Sequence, residues 1–237
     1  MSELFAVIGA GPSLNFCLHE LADLDARGAH FLISDSVAAA VLGSVKPRNA
    51  TVFTVEARRH SYLRRIGSAC RFDVAAYRNA QPRNLRLTKD TRISRFRLAG
   101  EEGSEPALYS PGTVLGTMLS YAASAISAEG EIHLIGADFC YIDNQVYARF
   151  IEPHAPRFDR LLSREMWQLE MAYKKTAAFL SKAGHALRTS FELLTARENM
   201  RAFVAKLPHH IRLCEYSPIG LDCERVQKMV PQALPLL

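Results

Sequence analysis

A glycine turn near the start of the sequence carries the clearest chemistry. Phe5-Ala6-Val7-Ile8 is an apolar run of strand length, Gly9-Ala10-Gly11 follows it, and Pro12-Ser13-Leu14-Asn15 opens an amphipathic stretch. That order predicts strand, tight turn and helix. The glycines let the backbone turn sharply and let a ligand approach it. Pro12 suits a first helical position, where a missing N–H is harmless, and Ser13 offers a hydroxyl. A helix starting here aims unpaired N–H groups and the positive end of its dipole at the space above the strand, which suits a phosphate. The third glycine of the dinucleotide fingerprint is replaced by Leu14, and no Gly-Lys-Ser/Thr follows, so this is neither that fingerprint nor a Walker A loop. The same turn also fits a strand-to-helix connection that holds no ligand.

A second loop-to-helix start lies at Tyr109-Ser110-Pro111-Gly112-Thr113-Val114-Leu115-Gly116. It carries hydroxyls, a proline and glycines with almost no charge. The helix it opens (Met118, Leu119, Tyr121, Ala122, Ala125, Ile126) is apolar enough to be buried, and its N-terminus is a second candidate anion site. Three acids stand just past predicted strands: Asp35, Glu56 and Asp138. In an open parallel sheet, ligands bind outside those carboxyl ends; Asp35 and Glu56 serve equally well as helix caps. His133 reads as a satisfied residue on a strand face.

The elements that must position these residues follow in order. A helix is expected over Asn15–Arg27 with Phe16, Leu18, Leu21, Ala22 and Leu24 inward, then strands over 30–34 and 51–55 around an Ala-rich helix. Residues 72–77 read as a strand, 93–98 as a half-exposed edge strand, and 100–106 as a polar loop. A strand over 132–136 leads into Ala137-Asp138-Phe139. Residues 143–163 form a lid-like loop with Tyr147, His154 and prolines. Beyond it come a helix from Arg164 to Lys182 with Phe179 inward, a short strand at 186–189, a helix over 195–207, a last strand at 211–214, turn chemistry at Ser217-Pro218-Ile219-Gly220, and a surface strap from Pro231. The fold class is α/β and Rossmann-like: a mainly parallel sheet with helices on both faces plus a small helical or lid element. Residues 1–142 are the nucleotide-binding core, and 164–237 complete the same domain.

At 237 residues the chain is long enough for one well-buried domain. There is no signal-peptide pattern and no apolar run near the roughly 20 residues that span a bilayer, so a cytoplasmic protein is expected. Five scattered cysteines without C-x-x-C spacing point to reduced thiols and away from zinc; Cys17 and Cys214 read as core. The net charge of +5 includes a cluster at Arg58, Arg59, Arg64, Arg65 and Arg71. It is either a solvated helix face or an attractor for phosphate-bearing substrates or an anionic membrane surface. Without interleaved aromatics it does not suit nucleic acid. Apolar surface on the last helices leaves a homo-oligomer open.

Taken in order, Gly9-x-Gly11-Pro12-Ser13-Leu14, Ser110-Pro111-Gly112 and Ile135-Gly136-Ala137-Asp138-Phe139 resemble one superfamily across Leu4 to about Gly220. One branch holds the motility accessory factors and the archaeal hydroxymethylpterin diphosphokinases; the other, more distant, holds bacterial sialyltransferases that use CMP-sialic acid. The resemblance implies Gly9, Gly11, Pro12, Ser13, Ser110, Gly112 and Thr113 around the donor phosphate, with Asp138 and Phe139 beside the ribose or base. It also implies a histidine base in the segment after the Gly-x-Asp-Phe strand, where His154 lies. The expected function is group transfer from a nucleotide donor. The first choice is glycosyl transfer from a CMP-activated nonulosonic sugar to a small-molecule or glycan acceptor, with no cofactor. The alternative is Mg²⁺-dependent pyrophosphoryl transfer from ATP to a pterin-like alcohol. Asp35 and Glu56 stand where the sialyltransferases carry asparagines, and with Asp138 they would hold the metal. A third reading is a nucleotide-binding protein without catalysis.

Overall fold

The structure, a computed structural model, describes residues 3–55, 66, 70–80, 90–142, 145, 147–148, 177–180 and 186–229. In chain order its elements are β1 (Glu3–Ile8), a 3-10 turn (Pro12–Asn15), α1 (Leu18–Ala26), β2 (His30–Ser34), α2 (Asp35–Val45), β3 (Ala50–Thr54), β4 (Asp73–Tyr77), β5 (Ile93–Leu98), β6 (Ala107–Leu108), α3 (Val114–Ala125), β7 (Gly130–Ile135), β8 (Ala177–Leu180), β9 (Ala186–Thr189), α4 (Phe191–Val204), β10 (Ile211–Glu215) and β11 (Val226–Lys228). Among the described residues, nine strands form one sheet in the order β11-β10-β7-β1-β2-β3-β4-β5-β6. Each neighbouring pair is parallel. The α/β, Rossmann-like class expected from the sequence is the observed one.

Alternation along the central strands feeds two cores. Ala6, Ile8, Phe31, Ile33 and Val52 meet Leu21, Leu24, Val37, Val41 and Leu42 of α1 and α2 on one face. Phe5, Val7, Leu32, Phe53, Ile132 and Leu134 meet Leu115, Met118, Leu119, Met200 and Val204 of α3 and α4 on the other. Both faces are therefore covered, which is why the inner strands read as unbroken apolar runs. Cys17 and Cys214 are buried, as expected.

Several elements depart from the sequence reading. The first helix does not run from Asn15: residues 12–15 close a tighter 3-10 turn and α1 begins at Leu18. The turn shifts the helical frame, so Leu14 and Cys17 are buried while Phe16 is 45% exposed. Ala177–Leu180, expected within a helix, is a strand that pairs antiparallel with β9, Ala177 opposite Thr189 and Leu180 opposite Ala186. α4 begins at Phe191 rather than Thr195, because the Ser190 hydroxyl accepts from the Leu193 amide and caps it there. The outer strand on one side is β6, beyond the expected edge strand at 93–98, and β11 is an addition beyond β10. Glu56, the arginines at 58, 59, 64 and 65, most of the 143–163 loop with His154, the helix over 164–176 and the tail from Pro231 lie outside the described residues. Among the described residues, no helix is long and apolar enough to cross a membrane.

Candidate functional site

The chain steps from β1 outward to β6, then returns through α3 to β7 on the other side of β1. Strand order therefore reverses between β1 and β7, and outside such a reversal open parallel sheets hold their ligands. The register sets Ile8 beside Ile135, which brings the Gly9 and Gly136 turns level.

These two turns interlock. The Gly9 amide donates to the Ile135 carbonyl at 2.8 Å and the Gly11 amide to the Gly136 carbonyl at 2.9 Å. A β-carbon on Gly9 would lie 2.6 Å from the Gly136 oxygen, and one on Gly136, where φ is +67°, would lie 2.5 Å from the Gly9 oxygen. A β-carbon on Gly11 would collide with the Asp138 carboxylate and lie 2.7 Å from the Gly136 oxygen. The glycines that the sequence suggested would admit a ligand thus admit the neighbouring turn.

Asp138 is the centre of this junction. It is 1% exposed. Its Oδ2 accepts from the Ser13 amide at 2.7 Å, and its Oδ1 accepts a short hydrogen bond from the Ser217 hydroxyl. Burial pushes its pKa up, opposed by those hydrogen bonds, by the nearby Ser13 hydroxyl and by the charge of Lys228. The Ser13 hydroxyl oxygen is itself buried and makes no hydrogen bond of ordinary geometry. Phe139 follows with φ of +55°, a backbone region a bulky residue rarely takes. Its ring joins the α3–α4 core, and its carbonyl accepts from the Thr189 hydroxyl at 2.6 Å. Beyond Phe139 the chain crosses back over the first turn, where the Ala148 amide donates to the Ala10 carbonyl at 2.9 Å.

The start of α3 abuts the same place: Leu115 Cδ1 lies 2.9 Å from where a Gly9 β-carbon would sit. Thr113 is the N-cap and its Oγ1 accepts from the Gly116 amide at 3.1 Å. Gly112 holds φ of +104°, which glycine alone takes freely. The Pro111 ring fills the space a Gly116 side chain would need. α4 braces this turn from behind, Asn199 Nδ2 donating to the Pro111 carbonyl at 3.4 Å. The first turn of α3 carries no acid. Ser110 and Thr113 are half-buried and Gly112 is exposed.

Of the residues singled out in the sequence, the structure therefore brings Gly9, Gly11, Pro12, Ser13 and Asp138 together with the helix start that Thr113 caps. Asp35 stands one strand away at the end of β2, 8% exposed, accepting from the Thr54 hydroxyl at 2.7 Å. Asp138 has both oxygens engaged, and among the described residues no group of three or more His, Cys, Asp or Glu side chains could hold a metal. His133 is satisfied on both nitrogens, by Tyr216 Oη and Glu131 Oε2, each at 3.1 Å.

Sequence reasoning missed the support from the end of the chain. Glu215, 0% exposed, pairs with Lys228 Nζ at 2.6 Å and accepts from the Leu221 amide at 2.9 Å. Lys228 also donates to the Ser217 and Ile219 carbonyls. The one available signal was the Ser217-Pro218-Ile219-Gly220 turn placed directly after a strand.

No protein-family model matches the chain, and no curated protein matches its sequence. In three dimensions it superposes on the MAf glycosyltransferase from Magnetospirillum magneticum AMB-1 with a TM-score of 0.63 and 14% identity, over 99% of this chain and 35% of that one. The two share a fold. This chain spans about a third of the length of that neighbour.

Proposed function

We propose that the chain transfers a glycosyl group from a CMP-activated nonulosonic sugar, bound outside the β1–β7 reversal, to a hydroxyl of a small molecule or glycan. The observation that supports this best is the superposition of 99% of the chain on a glycosyltransferase. The local chemistry fits it. The departing nucleotide phosphate would face the acid-free N-terminus of α3, whose free amides and dipole offset its charge, with Ser110 and Thr113 hydroxyls alongside. The acceptor oxygen forms its bond to the anomeric carbon as the bond from that carbon to the phosphate oxygen breaks. A base takes the acceptor proton; His154 is our candidate. In this reading the helix amides offset the leaving charge, and Mg²⁺ belongs to the alternative, pyrophosphoryl transfer.

Thermal unfolding in the presence of nucleotides tests this reading. CMP at 100 times its dissociation constant should stabilise the fold by about 2.7 kcal/mol, with or without Mg²⁺. A shift given by an ATP analogue only with Mg²⁺ would overturn the reading in favour of pyrophosphoryl transfer. No shift with any nucleotide would overturn both, and binding without turnover of any donor would leave a nucleotide-binding protein.

A further inference from the structure

The fold fastens its first turn with residues some two hundred positions later. Ser217, 0% exposed, donates to Asp138 Oδ1, and the opposite oxygen of that carboxylate holds the Ser13 amide. Ser217 is itself held: Lys228 Nζ donates to its carbonyl at 3.1 Å, the Ile219 amide donates to its hydroxyl at 3.3 Å, and Lys228 is anchored on buried Glu215. Just before it, the Tyr216 amide donates to the Leu134 carbonyl of β7, and the Cys17 thiol donates to the Tyr216 carbonyl. The loop from 216 to 221 therefore touches β7, the start of α1 and the Asp138 turn together.

We infer that Ser217 is a positioning residue for the Gly9–Ser13 turn. Its hydroxyl fixes the orientation of the Asp138 carboxylate, and through it the direction of the Ser13 amide and the path of residues 9–13. Being fully buried, it touches no ligand. This inference rests on the donor reading only in its second consequence: nucleotide affinity depends on the Ser217 hydroxyl because the turn under the donor depends on it. Lys228 and Glu215 act one step further back, by holding the loop that carries Ser217.

The experiment uses the full chain with Ser217→Ala, Ser217→Thr and Arg212→Ala, reading Ser13 amide exchange by NMR and CMP affinity by titration. Arg212 ties β10 to Gln227 of β11 and to Glu131, away from Ser217. Ser217→Ala should speed Ser13 exchange about tenfold and weaken CMP about tenfold, Ser217→Thr should restore both, and Arg212→Ala should change neither. If alanine unfolds the chain, Ser217→Cys, a slightly larger side chain with a weak S–H donor, should move both readouts the same way by less. Unchanged Ser13 exchange in the Ala or Cys variant, or equal loosening by Arg212→Ala, overturns the inference. If the unaltered protein binds no nucleotide, the donor reading fails and the exchange result alone decides the positioning role.

Discussion

The two glycine-containing turns beside β1 look alike in sequence and are used differently. At Gly9–Ser13 the glycines, the Ser13 amide and Asp138 are engaged with each other, and the polar groups face inward. At Ser110–Thr113 Pro111 is buried but Ser110 and Thr113 are half-buried and Gly112 is exposed, glycine supplies a left-handed bend, and Thr113 provides the side-chain cap. The first is a joint between two strands; the second is an open helix end. A motif that resembles a ligand cradle can thus be a fastening, and in the proposed function the plainer neighbour is the one that faces the donor.

The comparison is broken most directly at the joint. Gly11→Ala places a methyl group against the Asp138 carboxylate and the Gly136 carbonyl, and should cost about 3 kcal/mol in urea unfolding. A loss under about 1 kcal/mol would mean that the turns are not locked. Next comes pH. Glu215 is pushed up to about 7, from 4.5, because burial opposes its charge more than Lys228 and the Leu221 amide support it. A folded value above the unfolded one means the native state holds the proton more tightly. The contribution is therefore whole below about 4.5 and lost as pH climbs through about 7. Stability should fall by about 2 kcal/mol between pH 5 and pH 8, and Glu215→Gln should flatten that slope. Asp138, also raised, adds to the same sign.

The open turn predicts smaller effects on stability. Thr113→Ala removes the cap of α3 and should cost about 1 kcal/mol, with Thr113→Ser recovering most of it. Ser110→Ala should leave stability within about 0.5 kcal/mol while weakening CMP several-fold. If Ser110→Ala instead destabilises the fold as Gly11→Ala does, the two turns are not different in kind.

What the sequence revealed follows the range of the forces involved. Local pattern sufficed for β1, its glycine turn, the buried α3 and the strand carrying His133, because burial on both faces leaves continuous apolar runs. It also placed Asp138 at a strand end. It could not show that Asp138 points at the Ser13 amide, because that contact joins residues 125 positions apart. The misreading of Ala177–Leu180 has the same origin: those four residues suit a helix, and only the partner strand at Ala186–Thr189 decides otherwise. β11 escaped notice because Val226-Gln227-Lys228 is short and polar, and Phe16 was assigned inward because the 3-10 turn before α1 was not anticipated.

The placement of β7 also sets a timetable. β1 lies between β2, which follows it closely, and β7, which starts at Gly130. During synthesis, at roughly 5–20 residues per second, one flank of β1 stays open for several seconds before its second neighbour has been made. Until then an apolar strand with an unpaired edge is available to other chains, and closing it requires a contact of high sequence separation, which is slow. Refolding yield should therefore depend steeply on protein concentration, with the β1–β7 pairing as the late step.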